Sequence, residues 1–140
     1  MTKSTNAQFH VSLPCVNMDE TRNFYTTDLG FDPGRSGYNW LDIDLFGNQI
    51  TFAQVGQSLQ SAVSYSLDDA TLPSFHLGVL LNDSTWNKLY MEWSKKEVVK
   101  IEPTVFLKDQ IGEHKSFFVE DPNGYIIEFK CFSDSGETFG

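Results

Sequence analysis

The sequence predicts an α+β fold of two βαβββ modules whose mixed sheets curve around a cleft. Two observations carry that prediction. Phe9-His10 opens the run FHVSLPCVNMDETRNFYTTDLGF, and Phe75-His76, 66 residues on, opens FHLGVLLNDSTWNKLYMEWSKKEV; self-similarity at a fixed offset points to duplicated supersecondary units. Each copy also changes period in the same order, from an extended apolar run to helical spacing and back to strand alternation.

Each repeat begins with a strand at its histidine. Asn17 and Asp83 follow at equal offsets as cap-like residues; Glu20 completes a capping pattern with Asn17, and Asn82-Asp83-Ser84 offers side-chain oxygens to the free N–H groups of the second helix. Trp86, Leu89, Tyr90 and Trp93 recur at helical spacing, as Met18, Phe24, Tyr25 and Leu29 do less regularly. Gly30 stops the first helix, and WLDIDLFGNQITFAQV alternates on both sides of a Gly-Asn turn, which reads as a β-hairpin. After the second helix, VVKIEPTVFLKD, HKSFFVE and YIIEFKCF supply three strands, the last launched by a DPNG turn. Module one therefore spans about 8–55 and module two about 74–132, with the Ser-, Gln- and Asp-rich stretch of about 56–73 as linker.

Composition narrows the function classes. A chain of 140 residues makes one domain, or two small modules sharing a core. A formal charge of −9 repels phosphate backbones, so nucleic acid is not an expected partner. No stretch approaches the apolar length of a membrane span, MTKSTNAQ has no apolar leader core, and Cys15 and Cys131 show no metal or disulfide spacing. The expected setting is a reducing cytoplasm, without membrane association. Twelve Phe raise the aromatic share to 14%, which suits a core and also a small-molecule cleft.

Strand alternation assigns the faces. Phe9, Val11, Leu13 and Cys15 fall under the first helix, as do Leu41, Ile43 and Leu45; Leu77, Val79 and Leu81, with Tyr125, Ile127 and Phe129, fall under the second. That leaves His10, Ser12, Trp40, Asp42, Asp44 and Phe46 on one open face and His76, Gly78, Glu128 and Lys130 on the other. Two imidazoles and one carboxylate make a ligand set for a divalent first-row metal, that of the non-haem Fe(II) facial triad. The alternative is three separate residues, with each His satisfied by a backbone carbonyl and Glu128 paired with Lys130 on a solvated face. Ser12 and Gly78 are small and leave room for a ligand. Trp40 and Phe46 are candidates to stack on a substrate ring, and Lys130 either orients an anionic group or neutralises Glu128. Asp42 and Asp44 read as a solvated strand face.

HVSLPCVNMDETRNFYTTDLGF (10–31), FHLGVLL (75–81) and DPNGYIIEFK (121–130) resemble the vicinal oxygen chelate superfamily of glyoxalase I, fosfomycin-resistance transferases, bleomycin-binding proteins and extradiol dioxygenases. GRSGYNWLDIDLFGNQ and EPTVFLKDQIGEHKSFFVEDPNGYIIEFKCF are similar to its compact extradiol-type group. The resemblance implies metal ligands at His10, His76 and Glu128, a small substrate chelated through two adjacent oxygens, and a homodimer. Glyoxalase I enzymes use a further Glu on the fourth strand, where this sequence has NQITFAQV and places Thr51 or a neighbour at the acid's position. The transferases need cations for a phosphonate, and only Lys130 lies on the expected ligand face. An extradiol-type dioxygenase with Fe(II) is the remaining enzyme reading, with Mn, Zn or Ni as other ions. His114 is its candidate acid/base, although Gly112-Glu113 before it reads as an exposed loop. A lyase or isomerase, a thiol transferase and a non-catalytic small-molecule-binding protein are the alternatives.

Overall fold

The computed structural model describes residues 7–59, 64–73 and 75–140, which fall into two compact units divided between Leu59 and Gln60. In the first unit, β1 (His10–Cys15) leads through α1 (Met18–Asn23) and a π-helical turn, Phe24–Asp28, to β2 (Asp32–Ser36), β3 (Trp40–Leu45) and β4 (Asn48–Gln54). The sheet order is β1-β4-β3-β2, with β1 parallel to β4 and the other pairs antiparallel. Asn17 caps α1, its side chain accepting the Glu20 N–H at 2.9 Å. Leu41, Ile43, Leu45, Ile50 and Phe52 are buried as alternation requires, and Tyr25 lays its ring 4.9 Å from that of Phe52. Phe9 departs from the expectation: it precedes β1 and is exposed.

The β3–β4 turn is one residue earlier than Gly-Asn. Phe46 and Gly47 form it with φ of 51° and 83°, the two positive values that a two-residue hairpin turn matching strand twist requires. Phe46 is thus a turn residue outside the strand alternation, and its ring meets Phe31 edge-on at 5.3 Å.

The second unit opens with a hairpin, β5 (Ser64–Leu67) and β6 (Ala70–Pro73), then repeats the first topology: β7 (Leu77–Leu80), α2 (Asp83–Trp93), β8 (Val99–Phe106), β9 (His114–Glu120) and β10 (Ile126–Phe132), in the order β7-β10-β9-β8 with β7 parallel to β10. Asn82, not Asp83, caps α2 by accepting the Thr85 N–H at 2.8 Å. Trp86 and Trp93 bury the apolar stripe: Trp93 stands edge-on to Phe129 at 4.8 Å, and Trp86 donates its indole N–H to the Phe129 carbonyl at 2.8 Å.

The stretch read as a linker therefore carries structure. Leu72 of the hairpin is buried in a cluster with Phe106, Phe118 and Ile126, against which Leu67, Ala70 and Ile101 pack. Ile126 and Phe118 share the face of Glu128, since Ile126 is two residues away on β10 and Phe118 is its partner on β9. A face expected to be open is in part covered, which explains why β10 is buried on both sides.

Gly78 leaves room for backbone rather than for a ligand. A Cβ there would run into the Glu128 carbonyl oxygen and come within 2.9 Å of the Glu128 Cβ. Gly78→Ala should therefore push β7 from β10 and cost about 1–3 kcal/mol, as overpacking does. Thermal unfolding followed by circular dichroism should show a midpoint lower by several degrees; an unchanged midpoint would mean the strands do not approach so closely.

Candidate functional site

The DPNG turn positions Glu128. Asp121 Oδ1 accepts the N–H groups of Asn123 at 2.8 Å and Tyr125 at 2.9 Å, and Gly124 takes φ of 84°, so β10 leaves the turn in a defined register. Two residues into that strand, Glu128 is only 7% exposed. Its Oε1 lies 3.1 Å from His76 Nε2, and its Oε2 accepts the Ser116 hydroxyl at 2.6 Å, with Lys130 Nζ 3.8 Å away. The Phe118 ring stands edge-on to the imidazole at 5.8 Å.

His76 is oriented from behind. Its Nδ1 is 2.8 Å from the Pro73 carbonyl, which can only accept, so Nδ1 carries a proton and Nε2 is the atom aimed at Glu128. With Nδ1 protonated, Nε2 donates to the Glu128 carboxylate only when the ring is an imidazolium. The hydrogen bond to Glu128 raises the His76 pKa against the opposing pull of burial. Burial pushes Glu128 upward, but the bonds from His76 and Ser116 and the Lys130 ammonium outweigh it and hold the carboxyl below its ordinary value.

His114 is not in an exposed loop. It is the first residue of β9, buried, with its ring between those of Phe106 at 5.4 Å and Phe132 at 5.2 Å. Its Nδ1 donates to the Gly112 carbonyl at 2.8 Å, as that acceptor requires, so Nε2 is the ring atom left for other chemistry. Because β9 pairs His114 with Phe132 and Ser116 with Lys130, all four lie on the Glu128 face. Lys130 bridges the row, its ammonium also 5.7 Å from the Phe132 ring.

In the first unit, His10 pairs with Gln49 and Ser12 with Thr51, which places Ser12 and Trp40 on the His10 face of their sheet. His10 Nδ1 lies 3.3 Å from the Gln49 carbonyl, the same back-side support that His76 has, which again leaves Nε2 outward. Trp40 is half-buried with the Arg35 guanidinium 5.8 Å from its ring, and Ser12 is exposed. Phe46 lies in the turn beside Phe31. Asp42 is buried, contrary to the solvated face expected for it; Asp44 is exposed as expected.

Among the described residues no three His, Cys, Asp or Glu side chains are gathered closely enough to hold a metal ion. His76 and Glu128 nevertheless fit one in kind: an imidazole nitrogen and a carboxylate oxygen converge, and the imidazole is locked through its other nitrogen, the usual support of a metal-bound histidine. Ser116, the Pro73 carbonyl and Phe118 escaped the sequence reading. Pairing of β9 with β10 could have pointed to Ser116; nothing local marks Pro73.

A sequence model of the glyoxalase/bleomycin resistance protein/dioxygenase superfamily matches residues 7–129. No curated protein matches at a significant level. Among solved structures, a glyoxalase/bleomycin resistance protein/dioxygenase from Alicyclobacillus acidocaldarius is 24% identical with a TM-score of 0.77, the match covering 99% of this chain and 100% of that one. One of the same description from Nocardioides is 14% identical with a TM-score of 0.64, over 99% and 91% of the two chains. An integron cassette protein from the mobile metagenome of the Halifax Harbour sewage outfall is 19% identical with a TM-score of 0.63, over 91% and 99%. At these identities the likeness speaks to fold.

The two pKa displacements define a pH window. His76 is raised above 6.5, so its share of stability is complete below that value and is lost as pH rises through the folded one. Glu128 is lowered below 4.5, so its share is complete above that value and is lost as pH falls through the folded one. In metal-free protein, Glu128→Gln should cost about 1–3 kcal/mol between these limits and progressively less as pH rises and His76 loses its proton. Urea unfolding across pH checks this; a cost independent of pH would mean that the pair is not ionic.

Proposed function

The chain belongs to the glyoxalase/bleomycin resistance protein/dioxygenase superfamily, and from that premise we propose a metal-dependent enzyme in which His10, His76 and Glu128 hold a divalent ion that chelates two adjacent oxygens of a small substrate. The observation that carries the reading is the His76 Nε2–Glu128 Oε1 approach of 3.1 Å, with Nδ1 held by Pro73. The proton on Nε2 stands where an ion would bind, since one cationic centre there satisfies both groups. His10, with Nδ1 likewise turned to a backbone carbonyl, supplies the third donor, from the same chain or from the partner in a homodimer.

Extradiol-type ring cleavage with Fe(II) is the reaction this reading assigns. Thr51 supports it against a glyoxalase. Ser12 pairs with Thr51 as Gly78 pairs with Glu128, so Thr51 is the first-sheet counterpart of Glu128, and a fourth acidic ligand is missing from that strand. A bound ion would polarise the substrate oxygens and favour loss of a hydroxyl proton. The protein's own groups do the rest. Ser116 and Lys130 hold Glu128 ionised and aimed. Ser12 and Trp40 border the substrate on the His10 side. His114 Nε2, in a water-poor slot between Phe106 and Phe132, accepts the hydroxyl proton on the Glu128 side.

Protein purified without chelator and reconstituted anaerobically with Fe(II) should retain about one ion per chain and consume oxygen with a member of a catechol panel, as the three-ligand set requires. His76→Ala and Glu128→Gln should lose both properties. Retained metal without oxygen uptake across the panel would replace the dioxygenase by a lyase, isomerase or transferase, and absence of metal would leave a small-molecule-binding protein.

A further inference from the structure

Asp42 has no part in the proposed chemistry, yet it is 5% exposed on the His10 face of the first sheet. A carboxylate so enclosed needs partners. Thr51 donates its hydroxyl to Oδ1 at 2.6 Å and the Gln49 amide donates to Oδ2 at 3.0 Å; the Arg35 guanidinium, largely in solvent, is 3.7 Å from Oδ2. Gly34 of β2 lies against it so closely that an added Cβ would sit 3.1 Å from the Asp42 Cβ. A cavity of about 310 Å³, lined also by Gln8, Asp44 and Asn48, opens beside it. Gln49 connects this cluster to His10, because its backbone carbonyl is the oxygen that faces His10 Nδ1.

Strand register gives the cluster a meaning. Thr51 occupies in the first sheet the place of Glu128 in the second, and β3 sets Asp42 directly opposite Thr51. Where the second sheet carries its carboxylate on the strand next to the histidine strand, the first carries a hydroxyl there and the carboxylate one strand further out, joined by a hydrogen bond. That bond engages the Thr51 hydrogen and leaves the oxygen's lone pairs free.

We propose that Asp42, acting through Thr51, is the carboxylate that serves His10: a positioning residue that supplies negative charge on the His10 face of the first sheet and fixes Thr51 as an outward hydrogen-bond acceptor. The inference rests on the metal reading above, and the two fail separately.

The test uses the full chain and Co(II) alone as probe, with affinity from competition titration, the visible d–d spectrum and the thermal midpoint read together. Asp42→Asn should weaken Co(II) binding by about tenfold or more, the loss expected on removing an outer-shell carboxylate, and alter the spectrum. Thr51→Val, which keeps Asp42 and breaks the link, should weaken it several-fold. Asp42→Asn combined with Thr51→Glu should restore affinity to within about threefold of the parent, because the carboxylate returns at the Glu128 counterpart. If Asp42→Asn and Thr51→Val lower the midpoint but leave affinity within about twofold and the spectrum unchanged, Asp42 merely ties β3 to β4 and the inference is overturned. A parent that binds no Co(II), or a Glu128→Gln variant that binds it as the parent does, instead overturns the metal reading and this inference with it.

Discussion

The second unit is organised by the need to keep one carboxylate ionised inside an apolar strand. Glu128 lies between Ile127 and Phe129, both fully buried, and an unpaired charge there would cost several kcal/mol. His76, Ser116 and Lys130 meet that cost together. Each partner imposes its own condition. His76 must present Nε2, so β6 ends with the Pro73 carbonyl behind Nδ1. Ser116 must face Glu128, so β9 and β10 hold a register that also fixes His114 opposite Phe132. β7 must come close enough to bring His76 alongside, so it carries Gly78. The β5–β6 hairpin then covers the same face with Leu72, which removes water and strengthens the electrostatics beneath it.

Much of this was legible in the sequence because it repeats. Period changes at matching offsets gave the order of strand, helix and three strands in each unit, and two-residue alternation put Glu128 on the face opposite Ile127 and Phe129, whereas His76 lies one residue before β7. The failures have physical causes. Hairpin β5–β6 lies in a Ser- and Gln-rich stretch whose apolar residues are too few for a periodic signal; its stability comes from Leu72 packing on a distant sheet. His114 follows a Gly-Glu pair that looks solvated, but Phe106 and Phe132 bury it from other strands. Asp42 carries a residue type expected in solvent and is enclosed by Thr51, Gln49 and the glycine of β2, none adjacent in sequence. Phe46 broke the alternation because the turn takes it at positive φ.

The two histidines share one design: each directs Nδ1 to a backbone carbonyl, Gln49 for His10 and Pro73 for His76, and so offers Nε2. The carboxylates do not share a design. The second sheet places its acid directly on the strand beside the histidine, whereas the first uses a hydroxyl backed by an acid one strand away. The two sheets thus share the orientation of their imidazoles and differ in where a carboxylate stands, on β10 in the second and on β3 in the first.

Under the proposed function a metal ion replaces the proton between His76 Nε2 and Glu128 Oε1. Anomalous diffraction from crystals grown with Mn(II) tests this replacement. One strong peak is expected within bonding distance of His76 Nε2 and Glu128 Oε1, with Nδ1 still on the Pro73 carbonyl. A peak elsewhere, or an intact His76–Glu128 hydrogen bond in the presence of saturating Mn(II), would contradict it.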